Sequence, residues 1–349
     1  MKLIFLSMIT AAACMSSLHF GNDVINGAPP EKSVPNTWFA NRSPWNARVG
    51  NVAGADYSNM AINEYVSRDK TINMNWGSAG VYVVQGFRDS PKTNIQFKDG
   101  FGVEWLISNV PIPEALITAA SHRLRKRNTD GMTCLIDTPG KRFLSFWQPR
   151  PVVNGIEVTT GGASPFSAMG WARVGRNLPS LGRAAGANYC GGLIREAEMR
   201  QGVINHALAL AWPKDLIRAP KSPYGALQYP ASNTDGINMT SMGAVPMGAR
   251  IQLDPSLSDT QLSLLGLSRP ADKIIAHALQ KYGGYVVDSN TPTMGGSFYF
   301  ESKFDDGSRI YSATNPWPLS IIRHFRFTRP PAEVELDKNS PDRLLPRNQ

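Results

Sequence analysis

Short runs of β-branched and aromatic residues, each bounded by Gly, Pro, Asn or Asp, recur along this chain from residue 80 onward. Runs of this kind are typical of β-strands. They cover residues 81–85, 102–107, 132–136, 142–147 and 155–159. Pro139-Gly140 and Asn154-Gly155 separate neighbouring runs and indicate hairpin turns. The 31 Gly and 26 Pro residues make the chain rich in turns, which excludes long helical bundles and coiled coils.

Two segments are predicted to be helices. Residues 193–201 carry strong helix formers and stop at Gly202. Ser268 can cap a second helix that begins at Arg269-Pro270 and ends at Gly283. Many short strands with only two clear helices predict an antiparallel β-sandwich and not a doubly wound sheet. The segment Ile204–Leu210 and the segment 321–327 are further predicted strands.

Residues 1–20 are predicted to be an export signal. Met1-Lys2 is followed by a short apolar stretch and then by Ala11 to Ala13, in the order of charge, apolar core and small residues that such signals have. The alternative is a buried N-terminal strand. Small residues before Cys14 also fit a lipoprotein signal, in which case a lipid on Cys14 would be the only membrane attachment.

The rest of the chain divides into three parts by composition. Residues 21–79 are rich in Asn, Pro, Gly and Ser and contain spaced Trp residues, which predicts an extended segment that wraps a core. Residues 80–329 form the predicted β-sandwich domain. Residues 330–349, with several Pro residues and mixed charge, are predicted to be a loosely held tail.

Cys134 and Cys190 remain once Cys14 is assigned to the signal. In an oxidising compartment we expect them to form a disulfide; two unpaired buried thiols are the alternative. No Cys or His spacing typical of a zinc site occurs, and no phosphate-binding loop or nucleophile elbow is found. No metal or cofactor is therefore predicted.

The net charge of +9 raises the question of nucleic-acid binding. The densest basic run of the chain, residues 122–127, has no interleaved aromatic residue and is typical of a solvated loop. A nucleic-acid partner is therefore not expected.

Three side chains are candidates for acid–base chemistry. His206 is one, because imidazole exchanges protons near neutral pH, although a hydrogen-bonded core histidine is the alternative. Asp235 and Asp288 are the others, since two carboxylates can act as a glycosidase pair when about 5–10 Å apart. Trp147, Trp171, Tyr285 and Tyr299 offer faces on which sugar rings stack, although isolated aromatic residues are more often part of the core.

Four blocks of the sequence together resemble a family of secreted bacterial proteins, abundant in soil actinobacteria, that mostly have no assigned function. The blocks are residues 191–208, 233–236, 245–257 and 278–288. The resemblance implies a jelly-roll sandwich of the lectin/glucanase type and an extracellular glycan context. Where relatives have Asp-x-His this chain has Asp130-Gly-Met132, and where they have an acidic residue in the strand 143–147 it has Ser145.

Together, residues and resemblance predict a mainly β protein, an antiparallel jelly-roll-type β-sandwich with two or three accessory helices. We expect it to be exported, secreted or held at the cell surface, and to bind or cleave an extracellular polysaccharide as a hydrolase or lyase. A non-catalytic surface, adhesion or structural protein is the alternative. His206, Asp235 and Asp288, with Arg250 and Lys281 as binding residues, are expected to meet on one concave face, because pairing lowers the cost of burying polar groups.

Overall fold

A computed structural model gives the fold of this protein. It describes residues 38–50, 52–75, 80–98, 104–114, 116, 130–172, 181–302 and 316–329, all within one compact unit. The predicted export signal with Cys14, the basic run 122–127 and the tail 330–349 lie outside the described residues. Within the described ranges, no helix is long and apolar enough to cross a membrane.

Strands dominate the described part of the chain. In chain order they are β1 (Asn73–Asn75), β2 (Val81–Gly86), β3 (Lys92–Lys98), β4 (Glu104–Pro111), β5 (Thr133–Asp137), β6 (Arg142–Trp147), β7 (Arg150–Val152), β8 (Gly155–Val158), β9 (Thr160–Pro165), β10 (Leu208–Pro213), β11 (Arg250–Leu253), β12 (Gly284–Asn290), β13 (Ser297–Tyr299), β14 (Glu301–Ser302) and β15 (Phe325–Thr328). The α-helices are α1 (Ser58–Ser67), α2 (Glu196–Gln201), α3 (Asp259–Leu264), α4 (Pro270–Lys281) and α5 (Leu319–Ile322). Pro44–Asn46 and Lys214–Leu216 are short 3₁₀ helices.

The largest sheet has six strands in the order β1-β13-β10-β12-β11-β15. Its central strand β10 is buried at all six positions and runs parallel to β12 and antiparallel to β13. One face of β10 carries bulky side chains, and the Trp212 ring lies 4.2 Å from the Tyr65 ring of α1. On the other face Ala209 and Ala211 leave room for side chains from neighbouring strands and loops.

Two smaller sheets, β14-β2-β5-β6-β9 and β4-β3-β8-β7, face each other across a buried apolar cluster. The five-stranded sheet supplies Leu135, Leu144 and Phe146, and the four-stranded sheet supplies side chains such as Phe97 and Ile156. Alternation of side chains along each strand puts these residues on one face. The opposite face of the five-stranded sheet is free to hold loops of the site.

The prediction of a mainly β protein is confirmed, but the antiparallel jelly-roll arrangement is not. Each of the three sheets contains parallel pairs, among them β2 with β5, β3 with β8 and β10 with β12. Five α-helices are present in the described residues, where two or three were predicted. The two predicted helices correspond to α2 and α4, and the two predicted turns join β5 to β6 and β7 to β8.

Two predicted strands differ from the structure. The segment 321–327 begins as the last residues of helix α5 and becomes strand β15 only at Phe325. Ile321 and Ile322 are both fully buried, and burial alternates along the chain only from Phe325 to Phe327, where the strand has begun. Similarly, Ile204–Ala207 precede the strand, which begins at Leu208.

The segment 38–50 lies along the alanine-bearing face of the six-stranded sheet. Trp45 is 1% exposed, and its carbonyl oxygen accepts a hydrogen bond from the Ala207 N–H at 2.7 Å. The Val49 N–H donates to the Lys281 carbonyl at 3.0 Å. Within the predicted wrapping segment 21–79, Trp45 is therefore a buried residue, and residues 58–67 and 73–75 form α1 and β1.

Candidate functional site

The loop 181–192 is fixed to the free face of the five-stranded sheet by two side chains. Cys134 of β5 forms a disulfide with Cys190, which confirms the predicted pair. On the neighbouring strand β6, the Ser145 hydroxyl donates to the Leu181 carbonyl at 2.6 Å and accepts from the Tyr189 N–H at 2.8 Å. The loop therefore holds a defined position, and its other side faces the six-stranded sheet.

Asp288 belongs to β12 and lies beside the middle of β10. It pairs with Ala211, and an irregularity in the register between Leu210 and Ala211 separates it from the regular part of the pairing. The small side chain of Ala211 leaves the space into which the Asp288 carboxyl extends toward Tyr299 of β13. The Tyr299 hydroxyl donates to Asp288 Oδ2 at 3.5 Å.

Arg183 carries the only fully buried guanidinium among the described residues, at 0% exposure. Its guanidinium carbon lies 4.1 Å from the centre of the Tyr299 ring and 5.1 Å from that of Tyr189. Arg183 Nη1 is 3.9 Å from Asp288 Oδ2. The two rings and the carboxyl surround the Arg183 guanidinium and stabilise its positive charge, which is shielded from water.

Asp235 lies beside Asp288 but in different surroundings. Its carboxylate is 37% exposed, whereas that of Asp288 is 21% exposed. The Ser289 hydroxyl donates to Asp235 Oδ2, and Lys214 Nζ is 3.8 Å from the same oxygen. Asp235 Oδ1 is buried and has no hydrogen-bond partner. One oxygen of the Asp235 carboxylate is therefore near the Lys214 ammonium and the Ser289 hydroxyl, whereas the other oxygen accepts no hydrogen bond.

The surroundings of Asp288 favour its protonated form. Burial is the largest cause and raises the pKa of Asp288 to about 7, with Arg183 opposing the shift and the charges of Asp235 and Asp130 adding to it. Burial and the Asp288 charge also raise the pKa of Tyr299 well above its usual range. A protonated carboxyl next to a second carboxylate can donate a proton while its neighbour accepts one.

The structure brings Asp235 and Asp288 together and places His206 and Lys281 elsewhere. His206 comes two residues before Leu208, which pairs with Gly284, so it lies toward the opposite end of the β10–β12 pair. At roughly 3.3 Å per residue, this end is about 13 Å from Asp288. Lys281 is exposed at the end of α4, with Nζ 5.2 Å from the centre of the Tyr282 ring.

His206 is held in a hydrogen-bonded pair. Its Nε2 lies 3.1 Å from Glu198 Oε2, and its Nδ1 lies 2.8 Å from the Ala207 carbonyl oxygen. Arg195 contacts the other oxygen of the Glu198 carboxylate at 2.5 Å. Although burial opposes the effect, His206 and Arg195 lower the pKa of Glu198 to about 2. The contacts match the alternative interpretation of His206 as a hydrogen-bonded core residue.

Arg250, Tyr285 and Trp147 occupy structural positions. Arg250 is buried and donates to the Tyr282 carbonyl at the end of α4, and burial lowers its pKa. Tyr285 pairs with Arg250 across β11 and β12 and is 4% exposed. Trp147 is half-buried at the end of β6. The aromatic faces next to the two aspartates are those of Tyr299 and Tyr189.

Sequence reasoning missed Arg183, Lys214 and Ser289. One signal was present for Arg183, which is the only charged residue in the stretch Leu181-Gly-Arg-Ala-Ala-Gly-Ala187. A lone charge among small residues predicts a buried, partnered cation. Lys214 and Ser289 carry no comparable signal, because their relation to Asp235 depends on pairing between distant segments.

No cluster of three His, Cys, Asp or Glu side chains in the described ranges is arranged to hold a metal ion. Comparisons with family models, with curated proteins and with solved structures find no match to this chain.

Proposed function

We propose that the protein is an exported enzyme that hydrolyses glycosidic bonds in an extracellular polysaccharide. The observation that carries the proposal is the adjacent pair of aspartates, one largely buried beside Tyr299 and the other more exposed beside Lys214. Glycoside hydrolysis needs two carboxyl groups in opposite protonation states, and unequal surroundings are how proteins provide them.

In this proposal Asp288 is the general acid and Asp235 is its carboxylate partner. Asp288 transfers its proton to the glycosidic oxygen as the bond from that oxygen to the anomeric carbon breaks. A water molecule adds to the anomeric carbon and gives one proton to the Asp235 carboxylate, and transfer of a proton from Asp235 to Asp288 then restores both groups for the next turnover. Tyr299 and Arg183 hold the Asp288 carboxyl in place, and Lys214 and Ser289 hold Asp235.

Three features support the extracellular and glycan parts of the proposal. The Cys134–Cys190 disulfide is compatible with an oxidising compartment. The sequence blocks that resemble secreted proteins include Asp235 and Asp288. The two smaller sheets share with lectin/glucanase sandwiches the packing of two layers around an apolar cluster, although their parallel pairs differ from the antiparallel jelly roll. We retain the relation as part of the proposal.

The test measures the release of reducing ends from a panel of soluble polysaccharides by the wild type and by Asp288→Asn and Asp235→Asn. We expect each variant to lose about 100- to 10,000-fold in rate, the contribution typical of a general acid or base. Asp259→Asn, which changes an exposed aspartate on α3, is the matched control and should keep the wild-type rate.

Full activity in both site variants would exclude these aspartates from catalysis. If the wild type binds a polysaccharide and never shortens it, the hydrolase is rejected in favour of the non-catalytic surface protein. We also expect the rate to fall as the pH rises through about 7, because Asp288 then loses the proton that it must donate.

A further inference from the structure

The four-stranded sheet carries a groove on its outer face that the proposed active site does not use. The groove has a volume of about 510 Å³ and is bordered by residues of β3, β4, β7 and β8. This volume lies within the range of ordinary ligand sites. The facing sheet covers the opposite side of these strands, where Ile95 and Phe97 are buried. Trp105 and Ile156 border the groove and also belong to this apolar packing.

The register of the strands explains the shape of the groove. Asn94 of β3 lies opposite Gly155 of β8, and Gly155 lies opposite Val152 of β7. Because Gly155 has no side chain, a depression forms between the side chains of Asn94 and Val152. In the next row, Gln96 lies opposite Leu106 of β4.

The lining combines carboxamides with apolar side chains. Asn94, Gln96 and Asn154 each offer a donor and an acceptor. Beside them Leu106 is 55% exposed and Val152 is 40% exposed, so the groove offers apolar surface next to its carboxamides. A ligand that satisfies both kinds of group has hydroxyls on its edges and a C–H face, as a sugar ring has.

The charges nearby argue against an anionic ligand. Glu104 is the one charged side chain among the described lining residues. The neighbouring cations Lys98 and Arg150 both pair with Glu157, Lys98 Nζ at 3.1 Å from Glu157 Oε2. The two positive charges of Lys98 and Arg150 are balanced only by Glu157 and Glu104 together, so these four side chains give the groove no net positive charge with which to attract an anion.

We propose that this groove is a second, non-catalytic binding site for a neutral polysaccharide segment, formed by Asn94, Gln96, Asn154, Leu106 and Val152. The choice of a polysaccharide as ligand rests on the proposed function. The groove lies on the outer face of the sheet pair, whereas Asp288 lies on the six-stranded sheet, so the two sites bind separate stretches of one polymer.

The experiment is affinity gel electrophoresis of the full chain in gels that contain a soluble β-glucan, a xylan, a mannan or the anionic polygalacturonate. The variants are Gln96→Ala and Leu106→Asp, both of which change half-buried or exposed side chains. Leu264→Asp, at an 83% exposed residue of α3, is the matched control for an added charge. Asp288→Asn separates this site from the proposed active site.

We expect at least one neutral polysaccharide to retard the wild type and Leu264→Asp equally, and still to retard Asp288→Asn. Gln96→Ala and Leu106→Asp should raise the dissociation constant on the order of tenfold, the effect of one lost contact of this kind. If Leu106→Asp lowers the melting temperature, Gln96→Ala alone decides.

Three results would overturn the proposal: retardation by polygalacturonate only, no retardation by any neutral polymer, or retardation unchanged in Gln96→Ala. If only the proposed hydrolase is wrong, retardation still depends on Gln96 but no reducing ends are released. The opposite pattern, cleavage that needs Asp288 with retardation that ignores Gln96, would reject the groove and keep the enzyme.

Discussion

At Asp288 the needs of folding and those of the proposed chemistry oppose each other. A carboxyl that keeps its proton near neutral pH is useful as an acid, but its later ionisation must take place beside Asp235 and with little water. The usual pKa of an aspartate is 3.8, so Asp288 ionises at a much lower pH in the unfolded chain than in the folded protein. The free energy of unfolding should therefore change with pH as Asp288 titrates.

We predict that Asp288→Asn changes how stability depends on pH. The folded pKa of about 7 exceeds the unfolded value of 3.8, so the folded state binds the proton more tightly. In the wild type this contribution is complete below about pH 4 and is lost as the pH rises through 7, by up to about 4 kcal/mol. The variant, which cannot ionise, should lack this decline in urea unfolding between pH 4 and 8. Parallel curves for the two proteins would contradict the prediction.

Glu198 provides the opposite case at the same scale. Its folded pKa of about 2 lies below the usual 4.5, so its contribution is present above pH 4.5 and is lost as the pH falls toward 2. We predict that Glu198→Gln lowers the free energy of unfolding at pH 7 by about 3 kcal/mol, with a smaller difference at pH 3.

The chain contains a matched control for this prediction. Asp259 also pairs with a histidine, His277, at 2.7 Å, but both side chains are more than half exposed. Exposed ion pairs contribute about 0–1 kcal/mol. Asp259→Asn should therefore leave the unfolding midpoint nearly unchanged, and an equal loss in both variants would show that burial of the Glu198–His206 pair is irrelevant.

Among the elements, the glycine turn before α2 sets how closely the loop 181–192 approaches β10. Gly192 has φ +68°, and a Cβ built there would lie 2.5 Å from the Ala209 nitrogen and 2.5 Å from Trp45 Cζ3. Both the left-handed backbone and the close approach of backbone atoms exclude a side chain. Gly202, at the end of α2, has φ +77° with no atom within 4 Å of such a Cβ.

We predict that Gly192→Ala lowers the free energy of unfolding by more than about 3 kcal/mol, whereas Gly202→Ala costs about 1 kcal/mol. Both variants carry the same backbone cost, so the difference measures the contact with Ala209 and Trp45. Chemical denaturation of the two proteins is the measurement. Equal losses would mean that the loop moves away from β10 without cost.

The elements also show where sequence reasoning stops. The turn at residues 137–141 and the helix α4 are predicted by local signals: Pro and Gly in the turn, and an early Pro and a final Gly around the helix. The predicted cap by Ser268 is wrong, because the N-cap residue is Arg269 and its side chain makes no capping hydrogen bond. The pairing of β10 with β12 was not predicted, since the two strands are separated by more than 70 residues. Asp235 and Asp288 were named as candidates, but the exclusion of His206 from their site follows only from that pairing.

For the whole molecule, one covalent bond joins the five-stranded sheet to the loop that carries the site. Cys134 and Cys190 are 56 residues apart in sequence, and the loop between them includes β6 to β9. The disulfide restricts the conformations open to the unfolded chain. In the folded protein it also keeps Tyr189 next to Arg183.

We predict that Cys134→Ala/Cys190→Ala lowers the free energy of unfolding by about 2–5 kcal/mol, as the length of the closed loop implies. Tryptophan fluorescence during urea unfolding measures the loss, and reduction of the wild type should reproduce it. An unchanged midpoint in both experiments would mean that the hydrogen bonds of Ser145 hold the loop without the disulfide.

Trp45 and Val49, described above as anchors on the six-stranded sheet, have a consequence for the order of events during biosynthesis. Their backbone partners, Ala207 and Lys281, leave the ribosome more than 150 and 230 residues later. Strand β15, at residues 325–328, closes the edge of the same sheet. The nascent chain therefore remains without its complete central sheet until strand β15 has been synthesised, and contacts so distant in sequence form slowly. A chaperone that shields the chain during that interval should raise the yield of folded protein.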